Sequence, residues 1–141
     1  MSSLTPFHLA IAVTNLEQSR QFYGKLLGCS QGRSTEHWID YDFFGHQLVC
    51  HTAGKAQDAS CKNPVDGKHV PIPHFGVVLE MPQWRALRDK LIAAKVEFVV
   101  KPYIRFEGKI GEQATMFFYD PSGNALEFKA FKDIKTELFK K

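Results

Sequence analysis

The sequence contains three side chains that together could bind a metal ion. His8 stands in the segment Phe7-His8-Leu9-Ala10-Ile11-Ala12-Val13, and His74 stands at the same place in a similar segment, Pro73-His74-Phe75-Gly76-Val77-Val78-Leu79. Glu127 interrupts the otherwise apolar segment Ala125-Leu126-Glu127-Phe128. Burying an unpaired carboxylate is costly, so a cation is its natural partner. Two histidines and one carboxylate form a facial triad, which leaves coordination positions free for a substrate.

The two histidine segments belong to a longer internal repeat. The ends of the two halves also match, because the run Asp42–Val49 aligns with the run Asp120–Glu127 and so places Val49 opposite Glu127. A repeat of this size indicates two copies of one supersecondary unit. A single histidine in a strand is more often a hydrogen-bonded structural residue. Two at equivalent points, with a carboxylate in an apolar strand, favour ligands instead.

Each copy predicts a β-α-β-β-β unit. In the first, we expect strands near 6–13, 30–36, 37–43 and 46–52, and a helix that Asn15 caps and Gly28 ends. In the second, we expect strands near 73–80, 96–100, 113–119 and 124–130, and a helix with Pro82 in its first turn and Trp84, Leu87, Leu91 and Ile92 on one side. Residues 53–72 are predicted as a long connection, residues 101–112 as a loop, and the tail from Phe131 as a short helix.

Strand alternation places small residues beside both histidines. Ala10 and Ala12 share the face of His8, and Gly76 and Val78 share the face of His74. The larger apolar residues of both strands then point to the opposite face, where the helices pack. This arrangement leaves room for an ion and a substrate.

Composition describes one ordinary globular domain of 141 residues, 44% hydrophobic and 23% charged. No run is long enough to cross a membrane, and the first residues lack the charged-then-apolar pattern of a leader, so we do not expect export. The three cysteines, Cys29, Cys50 and Cys61, form no C-x-x-C pair and are interpreted as reduced thiols, so we expect a cytoplasmic location. The net charge of +3 is small and concentrated in the tail, which argues against a nucleic-acid partner.

The repeat resembles the vicinal oxygen chelate superfamily, which includes glyoxalases, extradiol dioxygenases, fosfomycin thiol transferases and bleomycin-resistance proteins. The resemblance covers essentially the whole chain and depends most on His8, His74 and the run Asp120-Pro121-Ser122-Gly123 that leads to Glu127. It implies an α+β fold in which two paired βαβββ modules form a partly open eight-stranded barrel around a metal site. The modules would be 1–52 and 73–131, joined by the connecting loop 53–72 and followed by a tail, 132–141, in one domain, 1–141.

The resemblance also implies the metal ligands His8, His74 and Glu127, with Val49 at the fourth position. We expect Fe²⁺, with Mn²⁺, Zn²⁺, Ni²⁺ and Co²⁺ as alternatives, and a homodimer that acts on a small molecule. Valine can neither bind a metal nor carry a proton, which disfavours a classical lactoylglutathione lyase. Three ligands fit extradiol dioxygenases and fosfomycin-type transferases better.

The candidate catalytic and substrate-binding residues are chosen by their positions relative to the metal ligands and to the motif of the superfamily. Ring-cleaving relatives carry a tyrosine where this chain has Phe117, and Tyr119, on the same strand face, is the candidate substitute. Gln47 and His51 share the face of Val49, and His51 is the best acid/base candidate; as a strand-end surface histidine it would need no function. Arg105 could clamp a carboxylate or phosphonate, or be a solvated loop residue. The predicted substrate-binding residues are Arg105, Gln47, Phe117 and Tyr103.

These observations predict an extradiol-dioxygenase-like oxidoreductase on a small substrate with vicinal oxygens. The alternative is a glyoxalase-like lyase or isomerase, or a thiol transferase of the fosfomycin type. A third hypothesis is a ligand-binding protein like the bleomycin-resistance proteins, without catalysis. Neither a nucleic acid nor a membrane is expected as a partner.

Overall fold

The computed structural model describes residues 4–53, 62–65 and 67–141. They divide into two compact units. The first contains residues 4–53 together with 120–124, and the second contains the described residues of 62–119 together with 125–141. Cys61 lies outside the described residues. Within them, the longest helix has 13 residues, and none is long and apolar enough to span a membrane.

The first unit is the β-α-β-β-β unit that the sequence predicts. Its elements are β1 (His8–Val13), α1 (Leu16–Ser19), a π-helical segment (Arg20–Leu26), β2 (Ser30–Ser34), β3 (Trp38–Phe43) and β4 (His46–Thr52). The sheet order is β1-β4-β3-β2, with β1 parallel to β4 and the other pairs antiparallel. As predicted, Asn15 caps the helix: its Oδ1 accepts a hydrogen bond from the Gln18 amide at 2.9 Å.

The core of the first unit lies between the helix and one face of this sheet. Tyr23, from the π-helical segment, is fully buried, and its hydroxyl donates to Asp120 Oδ2 at 2.7 Å. Asp120 also accepts from the amides of Ser122 and Asn124, so its carboxylate organises the turn 120–124. Burial, and next the Asp120 charge, raise the pKa of Tyr23 well above its ordinary value. Tyr23 therefore stays a neutral hydrogen-bond donor.

The second unit repeats the pattern with an additional hairpin. Its elements are β5 (Lys62–Val65), β6 (Lys68–Pro71), β7 (His74–Phe75), β8 (Val78–Glu80), α2 (Met81–Ala93), β9 (Phe98–Arg105), β10 (Gln113–Tyr119), β11 (Ala125–Phe131) and α3 (Ile134–Glu137). The sheet order is β7-β11-β10-β9, and β8 also pairs with β11. Strands β7 and β8 run parallel to β11, as β1 does to β4. The short helix predicted in the tail is confirmed as α3.

Helix α2 covers the face of the sheet opposite to Glu127. Trp84 is fully buried and donates from Nε1 to the Phe128 carbonyl at 2.9 Å. Leu87 and Leu91 are buried beside it. The prediction for Ile92 is wrong, because 53% of this residue is exposed. Ile92 directly follows Leu91, so its side chain is rotated about 100° around the helix axis, away from the buried stripe.

Three sequence predictions need correction. The α+β class is confirmed; where a partly open barrel of eight strands was predicted, the described residues form a four-stranded and a five-stranded sheet, with no closed barrel among them. The predicted connection 53–72 contains the hairpin β5–β6 among its described residues. The predicted loop 101–112 begins inside a strand, because β9 continues to Arg105.

Candidate metal and substrate site

The second unit brings His74 and Glu127 together, as the sequence predicts for two ligands of one ion. Strand β7 carries His74 and its parallel neighbour β11 carries Glu127. His74 Nε2 lies 3.4 Å from Glu127 Oε1, and the two side chains are 31% and 18% exposed. Two ligand atoms about 2.1 Å from one metal ion lie about 3 Å apart at right angles. The observed separation therefore suits a pair that shares an ion.

The backbone fixes which nitrogen of His74 is free. His74 Nδ1 lies 2.8 Å from the carbonyl oxygen of Pro71. A carbonyl only accepts, so Nδ1 must carry the proton, and in the neutral ring Nε2 presents its lone pair toward Glu127. A lone pair and a carboxylate oxygen at this distance repel each other unless a proton or a cation lies between them. Metal-binding histidines commonly donate their second nitrogen to a carbonyl in this way.

Glu127 is oriented from its other side by Thr115. The Thr115 hydroxyl, on β10, donates to Glu127 Oε2 at 2.5 Å. This bond engages Oε2 and leaves Oε1 toward His74. Sequence reasoning missed Thr115, although alternation along the strand predicted at 113–119 places it on the same face as Phe117.

Phe117 packs against the imidazole of His74 and is almost fully buried. Their ring centroids are 4.7 Å apart, in an edge-to-face arrangement. Phe117 also pairs across the ladder with Glu127. The aromatic ring therefore restricts the His74 side chain by packing, and it is an apolar neighbour of both polar groups.

A cavity of about 850 Å³ opens over this face of the second unit. Five predicted site residues line it: His74, Tyr103, Arg105, Phe117 and Glu127. Further lining residues include Lys68, Val70, Val100, Lys101, Thr115 and Lys129. Tyr119 is not among the described residues that line this cavity; it packs against the apolar cluster of Val70, Val100, Phe117 and Ala125.

The first unit orients His8 through a short hydrogen-bond chain. His8 Nδ1 lies 2.8 Å from Gln47 Oε1, directly across the parallel β1–β4 pair. Gln47 Nε2 donates in turn to Asp40 Oδ2 at 3.4 Å. The Asp40 contact keeps the amide oxygen of Gln47 toward His8, so Nδ1 donates and Nε2 keeps its lone pair free. Sequence reasoning assigned Gln47 to the substrate and missed Asp40.

The remaining predicted residues lie on β4. Val49 pairs with Ala10 and is almost fully buried, and His51 pairs with Ala12 and is exposed. Alternation places Gln47, Val49 and His51 on one face. Among the described residues, no group of three or more His, Cys, Asp or Glu side chains is close enough to hold a metal ion. The structure thus shows the contact between His74 and Glu127. The role of His8 as the third ligand stays a prediction.

Comparison with known proteins identifies the family. The family model of the Glyoxalase/Bleomycin resistance protein/Dioxygenase superfamily matches residues 5–128, so the chain belongs to this superfamily. No curated protein matches the chain. A solved glyoxalase/bleomycin resistance protein/dioxygenase from Alicyclobacillus acidocaldarius is 34% identical, with a TM-score of 0.73 over 93% of this chain and 94% of the other.

More distant structures share the fold alone. A lactoylglutathione lyase from Agrobacterium tumefaciens is 14% identical, with a TM-score of 0.63 over 92% of this chain and 96% of that chain. A genomically encoded fosfomycin resistance protein from Listeria monocytogenes is 15% identical, with a TM-score of 0.63 over 92% and 93%. These two neighbours have different activities, so the fold leaves the reaction of this chain open.

Proposed function

We propose that the chain is a metal-dependent enzyme that acts on a small substrate with two adjacent oxygen atoms. The His74–Glu127 pair carries this proposal, because its lone pair and carboxylate oxygen face each other at 3.4 Å with the tautomer set by the Pro71 carbonyl. We propose His8 as the third ligand, supported by the Gln47 contact that leaves its Nε2 free. Membership of the superfamily supports the same assignment.

The donor set fits a divalent ion, with Fe²⁺ as the first expectation and Mn²⁺, Zn²⁺, Ni²⁺ and Co²⁺ as alternatives. When bound, such an ion supplies a Lewis acid with open coordination positions and, as iron, a redox centre. The protein's own part is positioning. Thr115 holds Glu127 Oε2, the Pro71 carbonyl holds the His74 ring, and Phe117 keeps water from one side of the pair.

The groups proposed for proton transfer lie on the strand faces that carry Val49 and Phe117. His51 remains the proposed acid/base residue of β4, and Tyr119 that of β10. Tyr103 lines the cavity, whereas Tyr119 does not, so Tyr103 is the tyrosine closer to a substrate bound there. A phenol can hold or give a proton to a substrate oxygen within hydrogen-bond distance. Arg105 and Phe117 are proposed to contact the substrate.

The proposed reaction is oxidative cleavage of the extradiol-dioxygenase type. The supporting observation is the lack of a fourth ligand at Val49, whose buried side chain can neither bind a metal nor transfer a proton. Three ligands leave more positions open for reactants. A lyase that depends on a glutamate at this position is not supported.

One observation favours a second candidate, a non-oxidative lyase, isomerase or thiol transferase on the same scaffold. Phe117 stands where ring-cleaving relatives carry a tyrosine, and a phenyl ring has no proton to give. The ion would then serve as a Lewis acid alone. The two candidates differ in their need for oxygen.

Oxygen dependence tests the two candidates directly. Protein purified anaerobically and loaded with one equivalent of Fe²⁺ is mixed with catechol or 3,4-dihydroxybenzoate in an oxygen electrode. The dioxygenase proposal expects substrate-dependent oxygen uptake that is lost in His74→Ala and kept in His37→Ala, a surface histidine outside the cavity. Anaerobic turnover of a glutathione hemithioacetal, or of an epoxide supplied together with a thiol, by the Mn²⁺, Zn²⁺, Ni²⁺ or Co²⁺ form, with no oxygen uptake by the Fe²⁺ form, would support the second candidate. Binding without any chemical change would support a binding protein.

A further inference from the structure

The cavity of the second unit is lined by far more positive than negative charge. Lys68, Lys101, Lys129 and Arg105 line it, and Glu127 is its one carboxylate among the described residues. None of the three lysines forms an ion pair with a carboxylate in the described part of the chain. Glu127 supplies one negative charge against the three lysines, and its oxygens lie against Thr115 and His74 and form no ion pair with a lysine among the described residues. Among the described residues, the three lysines therefore leave the cavity lining with an excess of positive charge.

Two of the lysines flank the proposed metal ligand in a defined way. Lys129 follows Glu127 by two residues on β11 and pairs with Thr115 on β10. Lys101 lies on β9 between Val100, which pairs with Phe117, and Tyr103, which pairs with Thr115. Glu127, Phe117 and Val100 pair with one another across β11, β10 and β9, and both lysines lie near this row of three residues. In the first unit, the position equivalent to Lys129 is His51, so the fold does not require a lysine there.

Positive charge gathered in a concave surface focuses the local field and attracts anions. Lysine and arginine are also the side chains that bind carboxylate and phosphonate groups most strongly. The same cavity also has an apolar lining, because Val70, Val100 and Phe117 line it and are buried hydrophobic residues. The cavity thus offers cations for one end of a small molecule and an apolar surface for its body.

We propose that this cavity binds the oxyanion group of the substrate, and that the substrate carries a carboxylate or phosphonate in addition to its two adjacent oxygens. This inference rests on the proposed function, since it names the class of substrate for that site. Lys129 is two residues from Glu127 on β11, and Lys101 is next to Val100, whose partner Phe117 pairs with Glu127. These two lysines contact the oxyanion. Lys68 raises the local potential, and Arg105, already proposed to contact the substrate, adds a further cation to the cavity lining.

Matched ligands test the proposal by isothermal titration calorimetry. Catechol, 3,4-dihydroxybenzoate and 3,4-dihydroxyphenylphosphonate share the oxygen pair and differ in the anionic group. They are titrated into metal-free and Zn²⁺-loaded protein, because Zn²⁺ does not oxidise them. The variant is Lys101→Gln/Lys129→Gln. The control is Lys132→Gln/Lys135→Gln, which removes the same net charge from two exposed residues outside the cavity lining.

We expect the wild type and the control to bind an anionic ligand about tenfold or more tightly than catechol, with the advantage falling at high salt. The cavity variant should lose most of that advantage. The tighter of the two anionic ligands identifies the preferred group. The proposal is overturned if the wild type shows no preference for the anionic ligands, or if the control loses the preference as fully as the cavity variant does.

Metal loading separates this inference from the proposed function. If Zn²⁺ strengthens none of the three ligands while the anionic advantage persists, the chelation proposal fails and the oxyanion site stands. If Zn²⁺ strengthens all three equally and the anionic group adds nothing, the oxyanion site fails and chelation stands.

Discussion

Gly76 lies so close to Glu127 that a β-carbon on Gly76 would be 1.7 Å from the Glu127 carbonyl oxygen. Only a hydrogen atom fits in that space. The residue that carries the proposed carboxylate ligand is thus held against the β7–β8 segment by a contact that glycine alone permits. In the first unit, the residue two places after the histidine is Ala10, which pairs with Val49 and has a β-carbon. The closest approach therefore occurs in the unit that carries the carboxylate.

Replacing Gly76 with alanine should displace β11 or unfold the second unit. We expect Gly76→Ala to lose about 1–3 kcal/mol or more of unfolding free energy, as overpacked sites do, together with its metal affinity. Gly24→Ala is the matched control, because the atom nearest its added β-carbon is 4.0 Å away. Urea unfolding of both variants checks the expectation. Equal stability of Gly76→Ala and the control would show that the backbone approach is not tight in solution.

The repeat made much of this site predictable. The alignment of Val49 with Glu127 follows from the sequence, and the ladders agree with it: His8 pairs with Gln47 and His74 with Ala125, so each histidine faces the residue two places before the aligned position. Alternation also predicted the face of β4. Such placement is accessible from sequence because strand periodicity and a repeat both fix register.

The edge strand β9 of the second sheet was harder to predict from the sequence. Pro102 favours a loop, yet β9 is the last strand of its sheet, where a missing amide is tolerated, and the ladder is irregular between Thr115 and Phe117. Pro64, Pro71 and Gly67 likewise favoured a loop over the hairpin β5–β6, although the Asp66-Gly67 dipeptide is a hairpin signal. Lys68 and Lys101, which lie in these two segments and line the cavity, were not among the predicted substrate-binding residues, whereas Tyr103 and Arg105 were.

The Asp40–Gln47–His8 chain predicts a positioning effect. Gln47→Ala should weaken metal binding by roughly 10–100-fold, since outer partners of a ligating histidine have effects of this size. Folding stability should change little, because Gln47 is exposed. Gln31→Ala, another exposed glutamine of the first unit, should leave metal affinity unchanged. Competition titrations with a chelator measure both variants, and equal metal affinities would refute the positioning role.

Tyr23 and Tyr41 provide a matched pair of buried hydroxyls. Tyr23 donates to the carboxylate of Asp120 at 2.7 Å, and Tyr41 lies 3.2 Å from the Ser19 hydroxyl. Bonds to charged groups contribute about 1.5–3 kcal/mol and neutral ones about 0.5–1.5 kcal/mol. Tyr23→Phe should therefore destabilise the fold more than Tyr41→Phe does. Denaturant unfolding measures the order, and the reverse order would contradict the role given to Asp120.

Stability should fall in alkaline solution, and Cys50 is one cause. Burial raises the pKa of Cys50 from 9.0 to about 12. The unfolded chain therefore loses this proton first, so the stabilising contribution is complete below about pH 9 and is lost as the pH rises toward 12. Unfolding free energies at pH 7, 9, 10 and 11 should decline. Cys50→Ala should decline less steeply over this range, and an equally steep decline would show that the thiol is not the cause.

Metal stoichiometry tests the central claim most directly. Protein purified without a histidine tag is titrated with Zn²⁺ against a competing chelator, and bound metal is counted by elemental analysis. The wild type and His37→Ala should each hold one ion per chain, whereas His8→Ala, His74→Ala and Glu127→Gln should lose it while keeping a native circular dichroism spectrum. A Glu127→Gln variant that retains one ion with wild-type affinity would contradict the account.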